Sequence, residues 1–405
     1  MNQKFIKIDS PEEIKIVEAL SKRQDSEGLR MKRFLAMPDL SRMPGNPLHE
    51  IVQRVLSWPS FKGFDVIQVP EIVSTQISFD LFDFPADHPA RSRSDTYYVD
   101  DDHILRTHTT IMWYYYLKDE DVKKRMAAGE PIGAFCFGKV YRRDELDRHH
   151  MNVFHQIDGW YLAPKGKDII TVNELQEALS GFAKAVFGSN VQIRFNDDRF
   201  PYTDPSIEME INLGEDGPDG KAVADPRFVD DASHRTNREK WLEVAGAGVV
   251  KGSVLEKFGV DSSKWNGWAF GPGLERFAMI SMELPDIRLL WSQDERIKKQ
   301  LKLGQKFQEV SKYPPITRDI SFVVGKDFIP NDYFDLIRDL GGDLVEQVEL
   351  IDKYEDSKKF GSAKVSYTYR IVYRSMERTL KSEEVDTIQD EVYKQTATQF
   401  NAELR

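Results

Sequence analysis

The alternation of apolar and polar positions divides the chain into three blocks. The first block, up to about residue 92, is mainly helical, with apolar residues at i, i+3, i+4 and i+7 spacing after a cap at Asn46 and Pro47. An apolar run at 64–69, ended by Pro70, then predicts a strand. The block therefore leads from helices into a first strand.

The second block, about 93–302, alternates short apolar runs with polar loops. Several runs alternate apolar and polar residues, which is typical of an antiparallel sheet with one buried face. A helix is predicted at 173–187, a loop at 215–231 and a connecting helix at 294–305. The predicted strands are 97–99, 134–142, 153–162, 191–195, 207–213 and 267–271.

The third block, about 307–405, has the β-α-β-β-α order of a split βαβ, or ferredoxin-like, arrangement. Its predicted elements are strand 320–324, helix 331–340, strands 345–351 and 363–374, helix 383–400 and a short last strand at 402–405. The three blocks together predict an α+β protein. We expect an antiparallel sheet flanked by helices, followed by a C-terminal ferredoxin-like domain.

Composition favours a soluble globular protein of two or three domains. The chain has 405 residues, of which 40% are hydrophobic and 30% charged. No apolar run approaches the roughly 20 residues that a membrane-spanning helix needs. The net charge of -11 argues against a non-specific nucleic-acid coat protein, but it is compatible with a structured RNA that meets a local basic patch.

The cysteine content and the N-terminal segment predict the location. The one cysteine, Cys136, lies in an apolar run and is predicted to be a small buried residue, so a reducing compartment fits. The N-terminal segment carries acidic residues early and lacks an Arg/Ser-rich amphipathic leader, which predicts the cytoplasm. The mitochondrial matrix is the alternative if a leader has been removed.

Two arginines far apart in the chain are the strongest candidates for binding phosphate. Arg142 ends an apolar run, and its guanidinium can make bidentate contacts to phosphate oxygens. Arg276 begins a helix after Gly271 and Gly273, where backbone N–H groups already favour an anion. The third glycine of a dinucleotide fingerprint and a P-loop sequence are both absent. The pair suits a triphosphate bound in a bent shape across an antiparallel sheet.

Histidines and aromatic residues leave two interpretations open. The spacing of His149, His150 and His155 fits no common zinc site, so a phosphate-facing His150 is favoured over metal ligation, with surface histidines as the ordinary alternative. Phe200 and Tyr202 flank a proline in a loop, where they would either wall an apolar ligand pocket or pack in the core.

Charged residues on two strands are further candidates. Glu208 and Glu210 share one face of a strand, so with nearby Asp204 they would either hold Mg²⁺ bound to phosphates or face solvent. In the third block, basic residues follow one strand and predict an RNA-binding surface. These residues are Arg370, Arg374 and Arg378.

Several of these segments match a known family in order. The stretch at 106–110 reads Arg-Thr-His-Thr-Thr. The other segments are 63–71, 79–96, 139–159, 267–279 with 285–288, and 313–322. In this order they resemble the motifs of class II aminoacyl-tRNA synthetases, and specifically of the phenylalanyl-tRNA synthetases. The last segment resembles the start of that family's anticodon-binding domain, fused here to the catalytic domain as in the monomeric, mitochondrial-type enzymes.

The resemblance implies a domain layout and an activity. The layout is a catalytic domain at 1–302, in which residues 1–92 hold the N-terminal helices and the first class motif, a linker at 303–310 and a ferredoxin-like anticodon-binding domain at 311–405. The implied activity is an ATP-dependent ligation in which L-phenylalanine becomes an adenylate and is transferred to tRNA(Phe). Mg²⁺ with ATP is the implied cofactor. A monomer without membrane contact is expected.

The resemblance also implies residue roles by position. For ATP these are Arg142 and Arg276, which would act on the phosphates, and Asp144, His150 and Phe154. For phenylalanine they are His108, Thr110, Gln156, Asp158, Phe200, Tyr202 and Ala269. Three of these depart from the family's pattern: Thr110 replaces Ser, Asp158 replaces Glu, and Tyr202 replaces Phe. The departures bear on amino-acid affinity more than on the type of reaction.

Three other functions are weighed against this one. A related ligase, such as a phosphoserine- or pyrrolysine-type synthetase, is one; the apolar Phe200 and Ala269 count against phosphoserine. A non-catalytic RNA-binding paralogue would be marked by loss of Arg142 or Arg276, and both are present. A histidine-metal hydrolase is the third.

Overall fold

The computed structural model describes residues 3–145, 147–166, 170–212, 241–308, 313–356 and 358–405. The predicted loop at 215–231 and some residues of the predicted linker lie outside these ranges. The strands are β1 (Phe5–Lys7), β2 (Asp65–Gln68), β3 (Ile72–Ser74), β4 (His103–Leu105), β5 (Ile132–Tyr141), β6 (Val153–Pro164), β7 (Gln192–Asp198), β8 (Thr203–Asn212), β9 (Leu242–Val250), β10 (Trp265–Phe270), β11 (Ile316–Gly325), β12 (Val345–Tyr354), β13 (Lys364–Tyr373) and β14 (Glu403–Leu404).

The helices follow the same numbering, and short 3-10 turns lie between some of them. They are α1 (Pro11–Ser21), α2 (Ser26–Ala36), α3 (Pro47–Leu56), α4 (Thr75–Ser78), α5 (Met112–Tyr116), α6 (Glu120–Ala127), α7 (Val172–Phe187), α8 (Gly252–Lys257), α9 (Leu274–Met282), α10 (Glu295–Lys298), α11 (Pro330–Gly341) and α12 (Ser382–Gln399). In the described ranges of the chain, each helix is too short or too polar to cross a bilayer.

Eight strands form the large sheet of the first two blocks, in the order β1-β2-β5-β6-β10-β9-β8-β7. The predicted α+β class is confirmed. From β5 to β7 the neighbouring strands are antiparallel, as expected, whereas β1 with β2 and β2 with β5 are parallel. The sheet is therefore mixed. Helices α3, α7 and α9 pack against one another over one face and enclose the largest apolar core.

Local sequence signals account for the helices on this face. Asn46 caps α3 by accepting the N–H of Leu48, and Pro47 occupies its first turn. The predicted apolar stripe of α3 is buried. The helix predicted at 173–187 is α7, which begins with a reciprocal capping box between Thr171 and Glu174. Burial of these amphipathic helices fixes the sheet's covered face.

Two predicted elements differ from the structure, and one strand of the large sheet was not predicted. The predicted strand at 97–99 is a loop that makes only an isolated bridge, between Tyr98 and Ile104, because Tyr97 is used in a tertiary contact. The connecting helix predicted at 294–305 is only the four-residue α10, since its polar residues have little apolar surface to bury. Strand β9 was not predicted, because the run Ala-Gly-Ala-Gly at its centre weakens the strand signal of its valines.

The third block has the ferredoxin-like arrangement that was predicted. Its four-stranded sheet has the order β12-β13-β11-β14, and α11 and α12 pack on it around a separate core. The short last strand β14 pairs with Phe322 and Val323 of β11.

Helix α11 is also the surface through which the third block meets the first two. The hydroxyl of Tyr97 donates to Asp335 at 2.9 Å, and Arg30 of α2 lies 3.4 Å from the same carboxylate. All three side chains are buried. The first two blocks and the C-terminal block are therefore joined through a desolvated, charged contact.

Candidate active site

One cavity of about 1080 Å³ lies over the large sheet, and both arginines singled out from the sequence line it. Arg142 approaches from the end of β5, and Arg276 from the start of α9. Nine further predicted ligand residues line the same cavity: His108, Thr110, Asp144, His150, Phe154, Gln156, Asp158, Phe200 and Tyr202.

The β5–β6 hairpin holds Arg142 in place. The register aligns Val140 with Phe154, and the N–H of Arg142 continues the ladder to the carbonyl of Asn152 at 3.0 Å. The guanidinium Nε donates to the carbonyl of Thr107 at 3.0 Å, and its carbon lies 5.2 Å from the centre of the Phe154 ring. Arg142 is therefore oriented before any ligand arrives.

A buried His–Glu pair connects β6 to α9. His155 and Glu275 are 0% and 3% exposed. The N–H of Leu40 donates to His155 Nε2 at 3.0 Å, so the proton of this ring lies on Nδ1, which donates to Glu275 at 2.6 Å. The backbone N–H of His155 also donates to that carboxylate. His155 is therefore a buried structural residue, so the interpretation of this histidine as a surface residue is wrong. Its two hydrogen-bond partners explain its position without a zinc ion.

The turn before α9 is bonded directly to β6. The N–H of Ile157 donates to the carbonyl of Pro272 at 3.1 Å, and Gln156 forms a bridge with Gly273. This pairing carries the first turn of α9 against the sheet, so Arg276 is directed toward the cavity that Gln156 lines.

Three buried polar atoms at this cavity have no hydrogen-bond partner among the described residues. They are His108 Nδ1, Gln156 Oε1 and Arg276 Nε. Buried polar atoms are nearly always paired, so three such atoms around one cavity indicate a polar ligand. Burial lowers the pKa of His108 to about 4, with a further contribution from the charge of Arg142, so its ring is neutral at pH 7.

Asp158 forms the deep acidic end of the cavity. It is 3% exposed and accepts hydrogen bonds from the hydroxyls of Thr109 and, at 2.6 Å, Thr110. Burial raises its pKa to about 6, although the two hydroxyls oppose the shift. A side chain at Gly271 would place its first carbon 2.7 Å from Asp158 Oδ1, so only glycine fits there. A cationic group of a ligand would stabilise this carboxylate.

Aromatic rings surround the neighbouring region of the cavity. Tyr202 makes edge contacts with Phe82 and Trp113 at 5.6 and 6.2 Å and stacks on Phe200 at 6.2 Å. Phe84, which also lines the cavity, is parallel to the His108 ring at 6.1 Å. Phe84 was not singled out from the sequence, although it lies within the family-like stretch 79–96. Tyr202 thus belongs to an apolar, partly enclosed wall.

Four predicted ligand residues do not line this cavity. Ala269 lies in the buried cluster behind it, with Trp113 and Trp160. On β8, Glu208 accepts from Asn196 at 3.0 Å and Glu210 pairs with Arg194, while Asp204 is exposed. The described residues hold no group of three or more side chains suited to a metal ion. A carboxylate on the neighbouring strand does line the cavity: Glu243, on the unpredicted strand β9, directly opposite Glu210 in register.

His150 lies at the outer edge of the cavity. Its Nδ1 is 2.8 Å from Asp147 Oδ2, and this hydrogen bond raises the pKa of His150. A partly protonated imidazole at this position would favour an anionic ligand.

The three arginines predicted to bind RNA are each paired with an acid. Arg370 contacts Asp319 at 2.8 Å and Arg374 contacts Glu346 at 2.7 Å. Arg378 forms an ion pair with Glu384. They are spread over a strand and the following loop rather than joined in one patch of uncompensated charge.

Comparison with known proteins agrees with both domains. The chain matches the family described as "tRNA synthetases class II core domain (F)" over residues 34–301, and the "Ferredoxin-fold anticodon binding domain" over residues 311–405. A class II aminoacyl-tRNA synthetase core, joined to an anticodon-binding domain, is thus what the fold and the cavity define.

Individual relatives narrow the family. The chain is similar to the chloroplastic/mitochondrial phenylalanine–tRNA ligase of Arabidopsis thaliana, with 39% identity over 82% of this chain and 71% of that protein. The mitochondrial enzyme of Mus musculus is 37% identical over 82% and 73%. That of Saccharomyces cerevisiae is 32% identical over 89% and 87%. The chain belongs to the phenylalanine–tRNA ligase family.

The names of these relatives bear on location. They are mitochondrial or chloroplastic proteins, so they do not support the predicted cytoplasmic location and instead favour its mitochondrial alternative.

The His155–Glu275 pair gives a first test. Replacing Glu275 by Gln keeps the size but leaves one oxygen for the two His155 donors, so the free energy of unfolding should fall by about 1–3 kcal/mol. Urea unfolding measures the change. Glu295→Gln, in an exposed pair with Lys298, is the control and should cost less than about 0.5 kcal/mol. Equal effects of the two substitutions would contradict the assigned role.

Proposed function

We propose that this protein activates L-phenylalanine with ATP and transfers it to tRNA(Phe). The observation that carries the proposal is one cavity that is lined by two arginines, a buried carboxylate and aromatic side chains. That arrangement suits a nucleoside triphosphate next to an apolar amino acid. Pyrophosphate exchange that depends on phenylalanine and proceeds without tRNA tests it; exchange that depends on a different amino acid would refute the substrate.

Activation requires positioning and charge stabilisation rather than a protein nucleophile. A carboxylate oxygen of phenylalanine attacks the α-phosphorus of ATP, the bond to the β-phosphate oxygen breaks, and pyrophosphate leaves. Arg142, held by Thr107 and Phe154, would stabilise charge on the α-phosphate. Arg276, supported by the first turn of α9, would bind farther along the phosphates, with His150 near them.

Mg²⁺ fits the ATP end of the cavity without a dedicated protein cage. This ion usually keeps waters and takes one or two carboxylates together with phosphate oxygens. Glu243 is the carboxylate on β9 that fits this role, in place of the predicted Asp204, Glu208 and Glu210. Bound there, the ion would neutralise charge on the phosphates.

The amino-acid end would recognise phenylalanine by its three chemical groups. Asp158 would attract the ammonium group, and the unpaired atoms of His108 and Gln156 would bond to its polar groups. Phe200 and Tyr202 would contact the ring. A polar group such as the phosphate of phosphoserine would have no partner on this wall, which counts against that alternative.

Transfer follows on the same adenylate. A terminal ribose hydroxyl of the tRNA attacks the acyl carbon, the bond to the adenylate phosphate breaks, and AMP leaves. The organellar names of the relatives support a mitochondrial location for this chain as well. The anticodon-binding domain in the same chain as the class II core supports action as a monomer.

Removal of Arg142 should strongly reduce activation. Arg142→Ala is expected to lower phenylalanine-dependent pyrophosphate exchange by about 100-fold or more, because a preorganised charge on the α-phosphate is lost. Arg93→Ala, which removes an exposed arginine paired with Asp101, should leave exchange unchanged. Thermal unfolding of both variants shows whether the fold is intact. If Arg142→Ala only destabilises the protein, the residue is structural.

The raised pKa of Asp158 predicts a pH dependence. Above about pH 6 the carboxylate is charged and attracts the ammonium group; below it the acid is neutral. The ratio kcat/KM for phenylalanine should therefore fall by about tenfold per pH unit below pH 6. The ratio for ATP, measured in parallel, corrects for other titrating groups. The Asp158→Asn variant should have a low kcat/KM for phenylalanine at all pH values, without the decline below pH 6. If the decline persists in this variant, a group other than Asp158 causes it.

The three arginines in and after β13 remain a proposed RNA surface. Replacing Arg370, Arg374 and Arg378 by Gln should raise the KM for tRNA and flatten its salt dependence while sparing amino-acid activation. A comparison variant replaces Lys353, Lys358 and Lys359 by Gln; these lysines are close in the sequence to the exposed Tyr354. Loss of charging only in the lysine variant would move the RNA surface to that end of the sheet.

A further inference from the structure

The third block reaches the cavity of the catalytic domain. Asn331, in the first turn of α11, lines the same cavity as Arg142, Asp144 and His150. A residue of the anticodon-binding domain thus lies beside the residues proposed to bind ATP.

Two side chains of α11 bind both ends of the loop between β5 and β6. Asn331 Nδ2 donates to the carbonyl of Arg143 at 2.8 Å and to that of Ser94 at 2.9 Å. Arg338 donates to the carbonyl of Glu145 at 3.0 Å and to the side-chain oxygen of Asn152. This loop carries several of the residues proposed to bind ATP.

Asn152 connects Arg338 to Arg142, because it is hydrogen-bonded to both residues. Its backbone carbonyl accepts the N–H of Arg142 at 3.0 Å, and its side-chain Nδ2 donates to the carbonyl of Arg142 at 3.3 Å. Arg338 therefore holds the residue that brackets the backbone of Arg142. A shift of this loop would move the guanidinium proposed to contact the α-phosphate.

Some of the buried charges around this contact are paired only when α11 is packed against the first two blocks. The side chain of Arg143 is 4% exposed and pairs with Asp332 of α11 and Glu27 of α2. Asp335 is buried against Arg30 and Tyr97. Because buried charges are costly without their partners, both sides of this interface are fitted to each other.

We propose that Asn331 and Arg338 are positioning residues for ATP, so that the docked C-terminal domain completes the ATP half of the active site. ATP binding and domain docking then favour each other, since a coupling between two equilibria is reciprocal. This inference rests on the proposed function. It assigns the C-terminal domain a role in amino-acid activation, a step that requires no tRNA.

Steady-state pyrophosphate exchange without tRNA tests the inference. Asn331→Ala and Arg338→Gln should each raise the KM for ATP about fivefold or more, while the KM for phenylalanine changes less than about twofold. Arg338→Lys, which keeps the charge, should recover some of the loss. Arg318→Ala is the matched control, because this arginine of the same domain pairs, within the described ranges, with the exposed Asp386 and the carbonyl of Thr317.

A double-mutant cycle identifies the path through Asn152. The effects of Arg338→Gln and Asn152→Ala on the KM for ATP should not be additive, because both substitutions remove the same hydrogen bond between Arg338 and Asn152. A KM for ATP in Asn331→Ala and Arg338→Gln equal to that of Arg318→Ala would overturn the inference. Thermal unfolding checks each variant, and should Arg338→Gln fail to fold, Arg338→Lys and Asn331→Ala decide.

Failure of the proposed function has a different signature. If the unmodified protein shows no phenylalanine-dependent exchange, the proposed function is wrong. Direct calorimetric titration of ATP then still measures whether Arg338→Gln and Asn331→Ala weaken its binding relative to Arg318→Ala.

Discussion

The active-site cavity depends on the buried hydrogen bonds between His155 and Glu275. They join strand β6, whose flanking residues Phe154 and Gln156 face the cavity, to the first turn of α9, which carries Arg276. Leu40 fixes the proton on the histidine by donating to its other nitrogen. Together with the backbone hydrogen bond from Ile157 to Pro272, this connection fixes the helix relative to the sheet. As a result, ligand-binding side chains more than a hundred residues apart in the chain are held in a fixed orientation relative to one another.

The cavity is held in a state that is costly without a ligand. Asp158 is desolvated enough to raise its pKa, and His108, Gln156 and Arg276 each keep a buried atom without a partner in the described residues. These groups would have a lower free energy in water or with a hydrogen-bond partner, so the packing around them must hold them in their buried positions. The aromatic rings around Tyr202 supply some of that packing. Local instability at this site is therefore offset by the two large apolar cores on either side of the sheet.

Sequence patterns predicted the fold class, helices α3 and α7, the ferredoxin-like block and the two arginines, because caps, apolar stripes and glycine turns act locally. Strand β9 was missed because the small residues at its centre weaken its strand signal, and with it Glu243 was missed. Glu210 lies directly opposite the cavity-lining Glu243 on the neighbouring strand, yet neither Glu208 nor Glu210 lines the cavity, because the period of a strand does not show how far a cavity extends along the sheet. The partners of Arg370 and the contacts of α11 join distant segments, which no local pattern encodes.

The close approach of Gly271 to Asp158 limits how the amino-acid end can change over generations or by redesign. The carboxylate already sits 2.7 Å from where a first side-chain carbon would stand, and its two oxygens are occupied by Thr109 and Thr110. Lengthening the acid by one methylene would push it into this turn, so a switch to Glu needs compensating shifts in the threonines or the turn. Substrate preference at this end is thus epistatic, and libraries that vary position 158 alone would sample mostly inactive pockets.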